Sequence, residues 1–201
     1  MEQILFGAPV AEQLDEISKN VFRKHSKDNE KPHLTAITVG DNPASLQYVT
    51  RKQEKALDLG VEFNWLKLDS NTSQETLEEV ISNESKSTDG LIIQLPLPSH
   101  LNPEKAINCI PHEVDVDGLT SYNLGSLFSD TYNLIPATSL AVLELLNFYN
   151  IKTEDKNIVI AGRSRLVSAP LAKILSSKSY NANVSVIHSK TTNQKLFTKE
   201  A

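Results

Sequence analysis

Ser45, Tyr48 and Lys52 fall on one face of any helix built on the run from Ala44 to Asp58, because positions three, four and seven apart stack on the same side. Leu46, Val49, Ala56 and Leu57 lie beside that face. An amine next to a phenol is a proton-handling pair: a partly desolvated lysine has a lowered pKa and exchanges protons near neutrality. The same spacing fits a packing tyrosine beside a solvated lysine. A second polar group, Gln94, closes the apolar run Gly90-Leu91-Ile92-Ile93-Gln94-Leu95 and precedes Pro96-Leu97-Pro98. The carboxyl end of a buried parallel strand is where α/β proteins hold ligands, and two close prolines stiffen a pocket wall. An ordinary hydrogen-bonded strand end would read alike. Asp115-Val116-Asp117-Gly118 is a turn signature whose carboxylates can satisfy backbone amides, share a metal, or accept paired N–H donors from a heterocyclic amidine. No His or Cys pattern supports the metal.

A third constellation points to a nucleotide. Ile158-Val159-Ile160-Ala161-Gly162-Arg163-Ser164 carries a strand into a tight turn, with a helix soon after, which offers backbone N–H groups to a phosphate. The dinucleotide fingerprint uses three glycines; here Gly162 stands alone, with Ser168 further on. The next strand ends at His188-Ser189-Lys190-Thr191, about 25 residues after the turn, where NAD sites place an acid. A hydroxyl and a cation in that place, with Arg163 near, suit a 2′-phosphate and favour NADP over NAD. A plain βαβ unit with a basic turn fits the same residues.

The elements that must position these groups follow from periodicity. Val10, Leu14, Ile17 and Val21 predict a helix over Ala8 to Phe22, and the charged stretch Arg23 to Pro32 reads as a loop. Leu34 to Val39 is a buried strand, Ala44 to Asp58 a helix capped by Gly60, and Val61 to Leu68 a strand. Ser73 caps a helix reaching about Ser82, Gly90 to Leu95 is a strand, and helical turns follow at Pro103 to Asn108 and Ser139 to Tyr149. Asn157 to Ala161, a helix over Ala169 to Ser176, and the strand Val184 to Ile187 complete the alternation. This order predicts an α/β fold with largely parallel sheets, divided near residues 130 to 140. With 39% hydrophobic and 22% charged residues the chain reads as soluble and globular, and the net charge of -5 argues against a broad grip on nucleic acid or acidic membrane. No apolar run approaches the roughly 20 residues of a spanning helix. The start Met1-Glu2-Gln3-Ile4-Leu5-Phe6 has no basic leader, and the single Cys109 excludes an internal disulfide, so a cytosolic protein is expected.

Taken in order, the segments Val39 to Ser45 with Tyr48 to Lys52, Gly90 to Pro98, Asp115 to Leu119, Gly162 to Ser164 through Ala169-Pro170, and His188 to Thr191 resemble the bifunctional methylenetetrahydrofolate dehydrogenase/methenyltetrahydrofolate cyclohydrolase family over nearly the whole chain. The resemblance implies a three-layer α/β folate-binding catalytic domain over 1–135 and an incomplete Rossmann-like NADP-binding domain over 136–201. It implies hydride transfer from 5,10-methylenetetrahydrofolate to NADP, then hydrolysis of the methenyl product to 10-formyltetrahydrofolate, without a metal. By the same analogy Lys52 handles the protons, Tyr48 stacks on or orients the folate, and Gln94 hydrogen-bonds Lys52. Asp117 grips the pterin, and Ser45, Ile93 and Leu95 complete the substrate pocket. Gly162, Arg163, Ser164 and Ser189 would bind NADP, Arg163 and Ser189 nearest its 2′-phosphate, and two copies would pair as a homodimer.

Three departures from the family pattern stand out. Where members carry Thr-Pro-x-Gly, this chain has Thr138-Ser139-Leu140-Ala141, and Ser168 replaces a glycine beside the NADP turn. Members also continue beyond the residue matching Ala201, with later Rossmann strands, a glycine-proline loop and a last helix. On that basis impaired dehydrogenase activity and retained cyclohydrolase activity are expected. Two other readings compete: a non-catalytic form that binds folate or a full-length partner, and a different NAD(P)-dependent oxidoreductase, which leaves the Tyr48/Lys52 helix unexplained.

Overall fold

The computed structural model describes residues 4–25, 31–199 and 201. Eight helices and five strands lie among them, alternating except where three helices follow one another between the third and fourth strands, and every strand pairing is parallel. The chain separates into two compact units, Ala11–Val116 and a second made of Met1–Val10 with Asp117–Ala201.

In the Ala11–Val116 unit, β1 (His33–Val39) lies between β2 (Glu62–Leu68) and β3 (Gly90–Ile93) in the order β2-β1-β3. Alternation along the strands gives the sheet two apolar faces. Ile37 and Val39 of β1 and Leu91 and Ile93 of β3 form one core with Leu77 and Ile81 of α3 (Gln74–Glu84) and Ala106 of α4 (Pro103–Asn108). Ala36 and Ile92 face the other way and join Val49 of α2 (Pro43–Asp58). This is the expected three-layer arrangement. Trp65 Nε1 donates to the buried Thr38 Oγ1 at 3.1 Å, so the polar atom within the α2-side layer is satisfied. The lone Cys109, at the end of α4, is half-buried, and burial, then Glu78, pushes its thiol up, so it remains a neutral packing group.

Helix α2 positions the first constellation, and its start is well determined. Asn42 caps it by accepting from Ser45 N at 3.1 Å, and Pro43 occupies the first turn, where a missing N–H costs nothing. Asn42→Ala should cost about 1 kcal/mol, within the ~0.5–2 kcal/mol range of such caps, in a urea melt, and Asn42→Ser should recover most of it. An unchanged melt would show that the cap carries no weight. At the other end Leu59 is the cap, and Gly60, at φ 80°, takes the position after it rather than the cap itself.

Further boundaries differ from expectation. Helix α1 (Gly7–His25) runs through Arg23 and Lys24, where the charged stretch predicts a loop. Cationic side chains suit the carbonyl end of a helix, so their polarity did not mark its stop. Residues 26–30 of that expected loop lie outside the described residues. Val10 on α1 is buried, whereas Leu14, Ile17 and Val21, at the expected helical spacing, are exposed.

In the second unit β4 (Asn157–Ala161) pairs with β5 (Asn183–Ile187), linked by α7 (Ser168–Leu175). Their core holds Leu127, Leu143, Ile160, Leu171, Ile174 and Leu175. Leu127 comes from α5 (Ser121–Phe128) and Leu143 from α6 (Ala137–Phe148). Periodicity missed α5, which is only eight residues long and contains Gly125; Thr120 Oγ1 caps it by accepting from Asn123 N at 3.2 Å. The terminal α8 (Gln194–Lys199) was also unforeseen.

Candidate functional site

Helix α2 presents Ser45 buried, Lys52 half-buried and Tyr48 60% exposed. Lys52 Nζ donates to Gln94 Oε1 at 3.3 Å, joining two elements separated by 42 residues. Gln94 sits just past β3, its backbone N–H held by Ile37 O at 2.9 Å. Its amide nitrogen donates to Leu95 O at 2.8 Å. Because that carbonyl can only accept, the sense of the Gln94 amide is fixed, and its oxygen is the end offered to Lys52. The Leu95–Pro96 bond is cis, and Ile93 is fully buried under this corner. Ser45 Oγ is buried with no hydrogen-bond partner among the described residues.

Tyr48 and Lys52, with Arg51 and Lys55, form one wall of a cleft of about 600 Å³. Leu34, Gly90 and Val116 add apolar surface, whereas Ser45, Ile93, Gln94, Leu95 and Asp117 are not among its lining residues. Its size falls in the range of small-molecule sites, roughly 300–1,000 Å³. Lys55 is held by Asp15 at 2.6 Å, which, with Asp58, raises its pKa.

The chain beyond α4 leads to Asp115, buried and bridged to Leu91, and then Asp117, half-buried, which opens the second unit. Gly118 follows with φ 68°, and a Cβ there would overlap Leu134 Cδ2, so only glycine fits this bend.

In the second unit the end of β4 and the end of β5 open a cleft of about 430 Å³ lined by Gly162, Arg163, His188, Ser189 and Gln194. Gly162 has φ 143°, and a Cβ on it would stand 2.7 Å from Ser168 Oγ. Ser168 therefore excludes a side chain at this turn, and the positive φ favours glycine there as well. Ser164 Oγ accepts from Val167 N at 3.2 Å, and its carbonyl accepts from Ala169 N at 3.0 Å, which ties the turn to the start of α7. The two departures in sequence meet here. Ser168 packs on Gly162, and Ser139, fully buried in α6, donates from Oγ to Val167 O at 3.0 Å. With neither Pro nor Gly in Thr138-Ser139-Leu140-Ala141, α6 runs unbroken from Ala137. Arg163 and Ser189 offer a cation and a hydroxyl on the same cleft, and no acid among the described residues lines it, so the residues fit a 2′-phosphate dinucleotide. Gly162→Ala should weaken NADP binding by about tenfold or more, since a strained turn costs about 1–3 kcal/mol. Equal affinity in a titration would show that the turn has room to spare.

A three-layer α/β unit with a polar cluster beyond its carboxyl-terminal strand end, joined in sequence to a β-turn-α nucleotide half-site, defines an α/β protein of the nucleotide-binding class. The chain belongs to the tetrahydrofolate dehydrogenase/cyclohydrolase family: residues 5–117 match its catalytic domain and residues 136–201 its NAD(P)-binding domain. It is 38% identical over 204 aligned positions to the bifunctional protein FolD of Streptococcus agalactiae, covering all of this chain and 71% of that one. The 5,10-methylenetetrahydrofolate dehydrogenase of the silkworm Bombyx mori superposes with a TM-score of 0.95 at 33% identity, over 100% of this chain and 73% of that one. The Trypanosoma brucei methylenetetrahydrofolate dehydrogenase-cyclohydrolase, solved with NADP and an inhibitor, gives 0.91 at 28%, over 100% of this chain and 70% of that one.

Proposed function

We propose that this chain oxidises 5,10-methylenetetrahydrofolate with NADP and hydrolyses the methenyl product to 10-formyltetrahydrofolate, in one-carbon folate metabolism. The observation that carries it is the Lys52–Gln94 hydrogen bond, an amine held by an oriented amide, with Lys52 and Tyr48 also lining a ligand-sized cleft. NADP, when bound, would supply the acceptor for the hydride of the methylene carbon. Lys52 then takes a proton from the attacking water and returns one to the departing ring nitrogen. Gln94 positions Lys52 and does not itself exchange protons. Tyr48 offers an exposed ring on which the folate stacks. By analogy with the family, Asp117 accepts the paired N–H donors of the pterin, and Ser45, Ile93 and Leu95 contribute to the folate pocket beside Gln94. Gly162, Arg163, Ser164 and Ser189 hold NADP.

We assign the folate chemistry to 1–135 and the cofactor to 136–201. We further infer a cytosolic homodimer whose product feeds purine biosynthesis. A reducing compartment suits the single thiol, and pairing would cover an exposed edge of the two-stranded β4–β5 sheet. The test is to incubate the purified chain with methylenetetrahydrofolate and NADP, following NADPH and 10-formyltetrahydrofolate. Formation of both supports the reading. Hydrolysis of supplied methenyltetrahydrofolate at no more than the uncatalysed rate, with no NADPH, would overturn it.

A further inference from the structure

The nucleotide cleft contains a side chain that the sequence did not single out. Gln194, the first residue of α8, lines it together with Arg163, His188 and Ser189. Its amide nitrogen donates to His188 O at 3.1 Å. The same carbonyl accepts from Thr191 N at 2.8 Å, His188 N donates to Thr191 Oγ1 at 3.0 Å, and Lys190 N donates to His188 Nδ1 at 3.2 Å. Residues 188–191 therefore form a turn closed on itself by backbone and side-chain bonds, and Gln194 fastens it to α8. A peptide carbonyl accepts and never donates, so the Gln194 amide cannot turn round without losing its bond to His188. Its oxygen is the end left for a ligand.

We propose that Gln194 is a specificity-determining residue for the base of the dinucleotide, its Oε1 accepting from the exocyclic amine of adenine. The inference rests on reading this cleft as the NADP site and adds which part of the cofactor is read there. An amide oxygen of fixed sense distinguishes a 6-amino group from a 6-oxo group, because the latter has no hydrogen to donate and would face it with a second lone pair. A mobile glutamine would instead serve either base by flipping. Gln194 also holds the turn that carries Ser189, so its loss acts twice: equally on all dinucleotides through the turn, and selectively through the base.

The experiment separates these effects by taking a ratio. Titrate the whole chain, and its Gln194→Leu variant, with NADP and with the deamino analogue that carries hypoxanthine in place of adenine, following bound ligand by calorimetry. The unmodified chain should prefer NADP by about tenfold, the scale of one well-aligned hydrogen bond with a mismatched alternative. In Gln194→Leu both affinities should fall, and the preference should collapse towards unity. Because Gln194 is exposed and outside the core, the variant should fold, and circular dichroism would verify it. Equal binding of the two ligands by the unmodified chain, or a preference that survives in Gln194→Leu, overturns the role of Gln194 while leaving the cofactor site standing. Failure of both ligands to bind the unmodified chain overturns the site and this inference together.

Discussion

Replacing Lys52 with methionine should lower the rate of methenyltetrahydrofolate hydrolysis by about 10²- to 10⁴-fold, the usual weight of a positioned acid–base group. Methionine keeps most of the half-buried stem, so the loss would come from the amine and not from packing. The structure gives a reason to expect the upper part of that range. Lys52 Nζ is held by Gln94 Oε1, and that oxygen is itself oriented through Leu95 O, so no neighbouring flexible amine can take over in the same place. Arg51 and Lys55 share the wall, but a guanidinium does not release its proton near neutrality, and Lys55 is engaged by Asp15. Lys52→Arg should therefore fail nearly as badly as Lys52→Met. The check is the decay of the methenyl chromophore at saturating substrate, with folate-analogue affinity measured in parallel. A rate close to that of the unmodified chain would mean that water is activated elsewhere.

The largest effect on stability should come from Leu77→Ala. Leu77 is fully buried in α3 against Ile37, Leu91 and Ile93, within a core built from both sides of residues far apart in sequence. Truncating such a leucine costs about 2–5 kcal/mol, a large fraction of the ~5–15 kcal/mol by which a domain is stable. The chain offers its own reporter, because its one tryptophan, Trp65, lies on β2 of the same sheet and bonds Thr38. Urea unfolding followed by its fluorescence should shift to lower midpoint with an unchanged slope. A shift equivalent to less than about 1 kcal/mol would mean that the site collapses around the cavity or that α3 is not anchored there.

Much of this framework was legible in the residues, and the reasons differ by element. β1 and β4 were clear because a short apolar run between turn signals has few other readings, and Ser73 and the glycine after α2 marked helix ends through their own chemistry. α5 was not legible: Ser121 to Phe128 contains Gly125 and no charge pattern, and its helix is set by the cap at Thr120 and the burial of Leu127, the second a tertiary effect. The end of α1 was misplaced because polarity was read as loop, when a basic last turn is favourable to a helix. For the site, spacing alone put Tyr48 and Lys52 on one face, but nothing local links Lys52 to Gln94. That pairing depends on β3 lying beside β1 in parallel register, which follows from the whole fold. Gln194 carried no local signal, since its role is a single side-chain bond to a carbonyl six residues earlier.

All of the proposed folate chemistry depends on substrate reaching the Lys52 amine. The most direct measurement is the side-chain NMR resonance of Lys52, assigned by its absence in Lys52→Met, during titration with a non-reactive folate analogue. Saturable movement of that resonance, with those of surface lysines such as Lys67 unmoved, is the predicted result. A Lys52 signal that stays in place while the analogue binds would contradict the account.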